Sequence, residues 1–119
     1  MNRPEEVFQK AVVRFLDAVA PDVVYYHVPN QRGTRKGWEQ GLLTAMGLRK
    51  GVADLPLVLP GGVAAFLELK SKTGSLSKDQ RVFRDAVVAA GARYAQCRTL
   101  DDVQAALTAW GVEIRGGLT

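Results

Sequence analysis

The chain has 119 residues, with 16 Lys or Arg against 12 Asp or Glu and a net charge of +4. That length supports one hydrophobic core and excludes two, and a single cysteine, Cys97, excludes an internal disulfide and a cysteine-rich zinc site. No apolar run is long enough to span a membrane and the polar, acidic N-terminus does not read as a signal peptide, so no membrane partner and a cytoplasmic location are expected; the positive surplus suits a phosphate-bearing partner.

From Pro4 to about Val19 the spacing predicts a helix. Phe8, Val12, Phe15, Leu16 and Val19 recur at helical intervals, and Pro4 suits a first-turn position. Lys10, Arg14 and Asp17 form the opposite, wet face. Glu5 and Gln9 lie one turn apart at the edge of the buried stripe, whereas Glu6 points more toward water. Acids in a first turn favour the helix dipole, which accounts for both glutamates without any catalytic role. Pro21-Asp22 ends the helix, and VVYYHV, residues 23–28, reads as a strand. It carries the only histidine, His27, which fits a hydrogen-bonded structural group better than a ligand or a base.

The loop that follows, NQRGTRKGWEQG over residues 30–41, is polar and basic. Arg32, Arg35 and Lys36 surround Trp38. Basic residues with an interleaved aromatic can follow a nucleic-acid backbone and stack on a base; a solvated loop anchored by one tryptophan fits equally well. Leu42 to Met46 is expected to be a short helix. Arg49 and Lys50 then add positive charge before the most apolar part of the chain.

GVADLPLVLPGGVAAFLELK, residues 51–70, reads as two buried strands joined at Pro60-Gly61-Gly62. Leu55, Leu57 and Leu59 alternate on the first; Val63, Ala65, Leu67 and Leu69 alternate on the second. Asp54, Glu68 and Lys70 interrupt this hairpin. Phe66, Glu68 and Lys70 share one face of their strand, and pairing can bring Asp54 beside Glu68. A Glu-x-Lys alone is commonly an exposed, salt-bridged face. Here the strands are apolar on both sides, where charges are costly unless paired or bound. Two carboxylates with a lysine beside them suit a hard divalent cation and a phosphate.

A Gly/Ser-containing loop, residues 71–77, leads to a helix over 77–90, with Ser77 and Gln80 as a capping box and Gly91 as its stop. Arg93 to Cys97 is a strand with a buried thiol. Thr99 caps a last helix that runs to about Trp110, and Val112 to Ile114 forms a short edge strand or tail. The predicted fold class is therefore α/β: a mixed central sheet flanked by helices.

Taken together, these pieces resemble the VRR-NUC family of the PD-(D/E)XK nuclease superfamily, and in particular its small stand-alone, phage-type members. The resemblance covers nearly the whole chain as one domain, residues 1–119. It rests on an acid and Gln9 in the first helix, His27-Val28-Pro29-Asn30, Met46-Gly47, Gly51-Val52-Ala53-Asp54-Leu55, Phe66-Leu67-Glu68-Leu69-Lys70 and Leu76-Ser77-Lys78-Asp79-Gln80. It implies a restriction-endonuclease-like domain in which Asp54, Glu68 and the main-chain carbonyl of Leu69 bind Mg²⁺ or Mn²⁺. Lys70 would orient or deprotonate the attacking water, and Gln80 would support Lys70 or that water. Glu5, with Glu6 as the alternative, would be the N-terminal site acid, and His27 and Asn30 would support the site. Arg32, Arg35, Lys36, Trp38, Arg49 and Lys50 would face DNA. The implied activity is structure-specific cleavage of branched DNA, as by a four-way (Holliday) junction resolvase acting as a homodimer in a phage-infected or bacterial cytoplasm. A non-catalytic DNA-binding or assembly module and a nicking or flap endonuclease are the competing expectations. The chain departs from the family pattern at Ala53, where the proline usual before the aspartate is missing.

Overall fold

The computed structural model describes residues 4–28 and 37–116. The elements run α1 (Pro4–Val19), β1 (Val24–Tyr25), α2 (Gly37–Ala45), β2 (Leu55–Leu59), β3 (Val63–Leu69), α3 (Lys78–Ala89), β4 (Arg93–Cys97) and α4 (Leu100–Ala109). The four strands lie in the order β1-β2-β3-β4, antiparallel except for the parallel pair β3-β4. This is the expected mixed α/β sheet.

The alternation read from the hairpin decides which side each residue serves. Leu55, Leu57, Leu59, Ala65, Leu67, Leu69 and Cys97 are buried in one core with Val12, Phe15, Leu16 and Val19 of α1 and Val103 and Leu107 of α4. Residues of the other parity face α3, where the rings of Phe66 and Phe83 meet edge to face at 5.2 Å. Helices therefore cover both faces of β3, which explains why its run is apolar almost throughout. The turn is tight because Gly61 and Gly62 have φ of 91° and 81° and Gly62 N–H donates to the Leu59 carbonyl at 2.9 Å.

Both predicted caps are present. Ser77 Oγ accepts from the Gln80 N–H and Gln80 Oε1 accepts from the Ser77 N–H; Thr99 and Asp102 do the same for α4. Two local expectations change and a third resolves. The strand expected over 23–28 is confined to Val24–Tyr25: Tyr26 N–H still donates to the Pro56 carbonyl at 3.1 Å, but Pro56 has no N–H to return the bond and the ladder ends there. Helix α2 begins at Gly37 rather than Leu42, and none of its residues is buried. Of the short edge strand or tail expected over residues 112–114, the tail is found: Val112 and Ile114 pack against the core, and Arg115 N–H donates to the Val19 carbonyl.

Candidate active site

Register brings the charged residues together. Leu55 stands opposite Leu67, so one step back along the antiparallel pair sets Asp54 opposite Glu68. The Asp54 carboxylate accepts the Leu69 main-chain N–H at 2.9 Å. Glu68 is the one buried charged residue among those described, at 1% exposure. Its Oε2 accepts from Gln80 Nε2 at 3.2 Å and lies 3.8 Å from Lys70 Nζ. Gln80 thus does two jobs: its Oε1 completes the α3 cap, and its Nε2 reaches across to the sheet. Support from Gln80 was expected through Lys70 or the water; the contact its amide makes here is with Glu68, because the cap turns Oε1 to Ser77 and leaves Nε2 facing the sheet.

Gly51 brings α3 close enough for that contact. Its φ is +79°, and a Cβ built there would lie 2.3 Å from the Asp79 carbonyl oxygen and 2.7 Å from the Gln80 nitrogen. Backbone therefore packs on backbone between the segment leading to Asp54 and the first turn of α3, an approach open only to glycine.

The electrostatics follow from this crowding. Burial, first, and the adjacent Asp54 carboxylate, second, push the Glu68 carboxyl up to about 8, although Lys70 pulls the other way. The other carboxylate oxygen, Glu68 Oε1, is buried with no hydrogen-bond partner among the described residues. A buried carboxylate with one oxygen unserved, and only Lys70 to offset its charge and that of Asp54, has room for a further cation. No cluster of three His, Cys, Asp or Glu side chains suited to a metal is found among the described residues. Asp54 and Glu68 offer two carboxylates, and the main-chain carbonyl of Leu69 and water are the remaining oxygen donors. Such an all-oxygen set fits a hard divalent cation.

On the α1 side, Glu5, Glu6, Gln9, Lys10, Arg14, His27, Asp54 and Leu69 line a cavity of about 670 Å³. The N-terminal half of α1 therefore reaches the site, and the cavity admits both Glu5 and Glu6. Gln9 Nε2 and His27 Nδ1 are hydrogen-bonded at 2.9 Å. Lys10 and Arg14 read as a wet face in the sequence, and their helical spacing with Glu6 was the available signal that they share the site's wall.

The proposed DNA-binding residues are not gathered in the same way. Arg49 and Lys50 are exposed outside the cavity, and the Arg49 guanidinium sits 5.8 Å from the centre of the Phe83 ring. Trp38 stands 67% exposed on α2 and is not among the cavity's lining residues. Asn30, Arg32, Arg35 and Lys36 lie outside the described residues.

Comparison with known proteins bears on the fold. No family model matches the sequence, and no curated protein matches it. Among solved structures, the chain is similar to a VRR_NUC domain at 20% identity, with a TM-score of 0.60 over 87% of this chain and 94% of the other. It is similar to a second VRR_NUC domain protein at 14% identity, with a TM-score of 0.65 over 92% of this chain and 89% of the other. The chain has the VRR_NUC fold. Sharing a VRR_NUC fold at such low identity makes the architecture the common element. The missing proline at Ala53 fits this observation: Ala53 is 2% exposed and Asp54 still reaches the Leu69 N–H.

Proposed function

We propose that the chain, as one domain over residues 1–119, is a divalent-metal-dependent DNA endonuclease of the VRR-NUC family. The observation that carries this reading is the set where β2 begins and β3 ends: half-buried Asp54 opposite buried Glu68, Lys70 3.8 Å from the Glu68 carboxylate, and one Glu68 oxygen with no hydrogen-bond partner among the described residues. Burying Glu68 beside a second carboxylate costs stability that a purely structural pair has no reason to carry.

Asp54 and Glu68, with the Leu69 carbonyl, would hold Mg²⁺ or Mn²⁺. When bound, the ion supplies Lewis-acid stabilisation of the phosphoryl oxygens and lowers the pKa of a coordinated water. The chain's own groups do the rest. Lys70 orients the attacking water and offsets the negative charge that grows on the phosphoryl group as the new O–P bond forms and the scissile P–O bond breaks. Gln80 fixes the Glu68 carboxylate. Glu5 or Glu6, on the facing wall of the cavity, is the further acid, and the Gln9–His27 pair sets that wall's position. Lys10 and Arg14 bring positive charge to the same wall and suit the phosphates that flank the cut.

The substrate we favour is branched DNA, in particular a four-way junction cut by a homodimer. A chain this small has little surface with which to grip a branched substrate, and two symmetric nicks require two sites. Cleavage of labelled four-way junction, flap and linear duplex by the same preparation separates a resolvase from a flap or nicking enzyme. Binding without cleavage on every substrate would leave a DNA-binding module.

A further inference from the structure

Three buried side-chain atoms among the described residues have no hydrogen-bond partner: Glu68 Oε1, Tyr94 OH and Gln96 Nε2. They fall on one face of two adjacent strands. In the parallel pair β3-β4, Phe66 stands beside Tyr94 and Glu68 beside Gln96. Adjacent strands lie about 4.8 Å apart, and register partners project to the same face. An unserved buried acceptor and an unserved buried donor therefore sit side by side. An amide N–H can only donate, and a carboxylate oxygen only accepts. Glu68 Oε2 is already occupied by Gln80 and Lys70, so Oε1 is the atom still lacking a donor.

We propose that Gln96 is a positioning residue for Glu68: its side-chain amide donates to Glu68 Oε1 and holds the carboxylate in the orientation that receives a divalent cation. This rests on the nuclease reading and adds a residue to it. A side-chain rotation of Gln96 closes the bond, and two buried groups that each lack a partner become one satisfied pair. Gln80 from α3 and Gln96 from β4 then serve opposite oxygens of one carboxylate. The Glu68 carboxylate cannot turn when the cation arrives, which is the usual effect of a hydrogen bond to a ligating carboxylate. Gln96 is preferred over Tyr94 because it is the register partner of Glu68, whereas the Tyr94 hydroxyl belongs to the position two residues earlier.

The test is Mn²⁺ binding to the whole chain without DNA, read from the free Mn²⁺ signal in electron paramagnetic resonance, on wild type and Gln96→Met. Methionine keeps the length and removes the donor. The expected result is roughly tenfold weaker Mn²⁺ binding, in the range for a lost partner of a metal ligand. The Tm in EDTA should fall by no more than about 10 °C, the cost of one lost buried hydrogen bond. Unchanged affinity would overturn the proposal, and so would a weaker affinity accompanied by a fall in Tm in EDTA well beyond about 10 °C, which marks a packing role. If Gln96→Met does not fold, Gln96→Asn replaces it, with a loss of about threefold expected from the shortened reach and an unchanged affinity again decisive against it. Failure of wild type itself to bind Mn²⁺ would overturn the nuclease reading together with this one; binding by wild type and Gln96→Met alike would overturn this one alone.

Discussion

Replacing Glu68 with Gln keeps the side chain's size and its contact with Gln80 but removes a buried charge. In the metal-free protein the Glu68 carboxyl titrates at about 8 rather than 4.5. Between those values the folded chain holds a proton that the unfolded chain has released. The unfolded state binds fewer protons over that interval, so the stability contributed here is fully present below about 4.5 and is lost as pH rises through 8. At about 1.4 kcal/mol per pH unit, the interval sets a ceiling of roughly 5 kcal/mol. Sharing of the proton with Asp54 and entry of water lower it, and about 1–3 kcal/mol is the expected penalty. Glu68→Gln should therefore match wild type near pH 4.5 and exceed it at pH 8 in EDTA, by roughly 4–12 °C in Tm. Urea unfolding followed by circular dichroism at several pH values measures this directly. A gain that does not grow with pH, or a loss at pH 8, would refute the account of Glu68 as a buried carboxylate whose charge Lys70 offsets only in part. Adding Mg²⁺ at pH 8 should shrink the difference by stabilising wild type and leaving Glu68→Gln unmoved.

Other outcomes follow from the same geometry. Gly51→Ala forces a Cβ onto the Asp79 carbonyl at 2.3 Å and holds alanine at φ +79°; a loss of about 2–4 kcal/mol is expected in urea unfolding, with cleavage lost even where the chain remains folded. Gln80→Glu keeps the capping group but sets a second carboxylate against Glu68, so the helix should persist by circular dichroism while Mn²⁺ affinity changes; Gln80→Ala should lose about 1 kcal/mol of stability as well. Phe83→Ala removes the ring that packs against Phe66 and lies under Arg49, and about 3 kcal/mol is expected in the same unfolding assay.

The sequence was most legible where local rules and packing agree. The period-2 alternation of Leu55, Leu57 and Leu59 against Val63, Ala65, Leu67 and Leu69 carried the hairpin and its buried face, which made a meeting of Asp54 with Glu68 possible; the register that brings it about belongs to the fold. Ser77-x-x-Gln80 announced the start of α3, and Thr99 that of α4. What the sequence left open depends on three dimensions. The pairing of β1 stops at Pro56, which accepts from the Tyr26 N–H but has none to return, and VVYYHV itself does not reveal that partner. The start of α2 at Gly37 could not be read in a helix with no buried face to impose a period. Gln80 was legible as a cap, but its reach to Glu68 depends on Gly51 letting two backbones touch. Gln96 carried no local signal at all; only the parallel pairing of β3 with β4 sets it beside Glu68.

The central claim is that Asp54, Glu68 and Lys70 form a metal-dependent phosphodiesterase site. It is tested most directly by incubating a labelled four-way DNA junction with wild type and Lys70→Ala, each in Mg²⁺, in Mn²⁺ and in EDTA. The account expects paired, symmetric nicks by wild type in either metal, none in EDTA, and none by a Lys70→Ala protein that is folded and still binds the junction. Cleavage that persists in EDTA, or that survives Lys70→Ala, would contradict it.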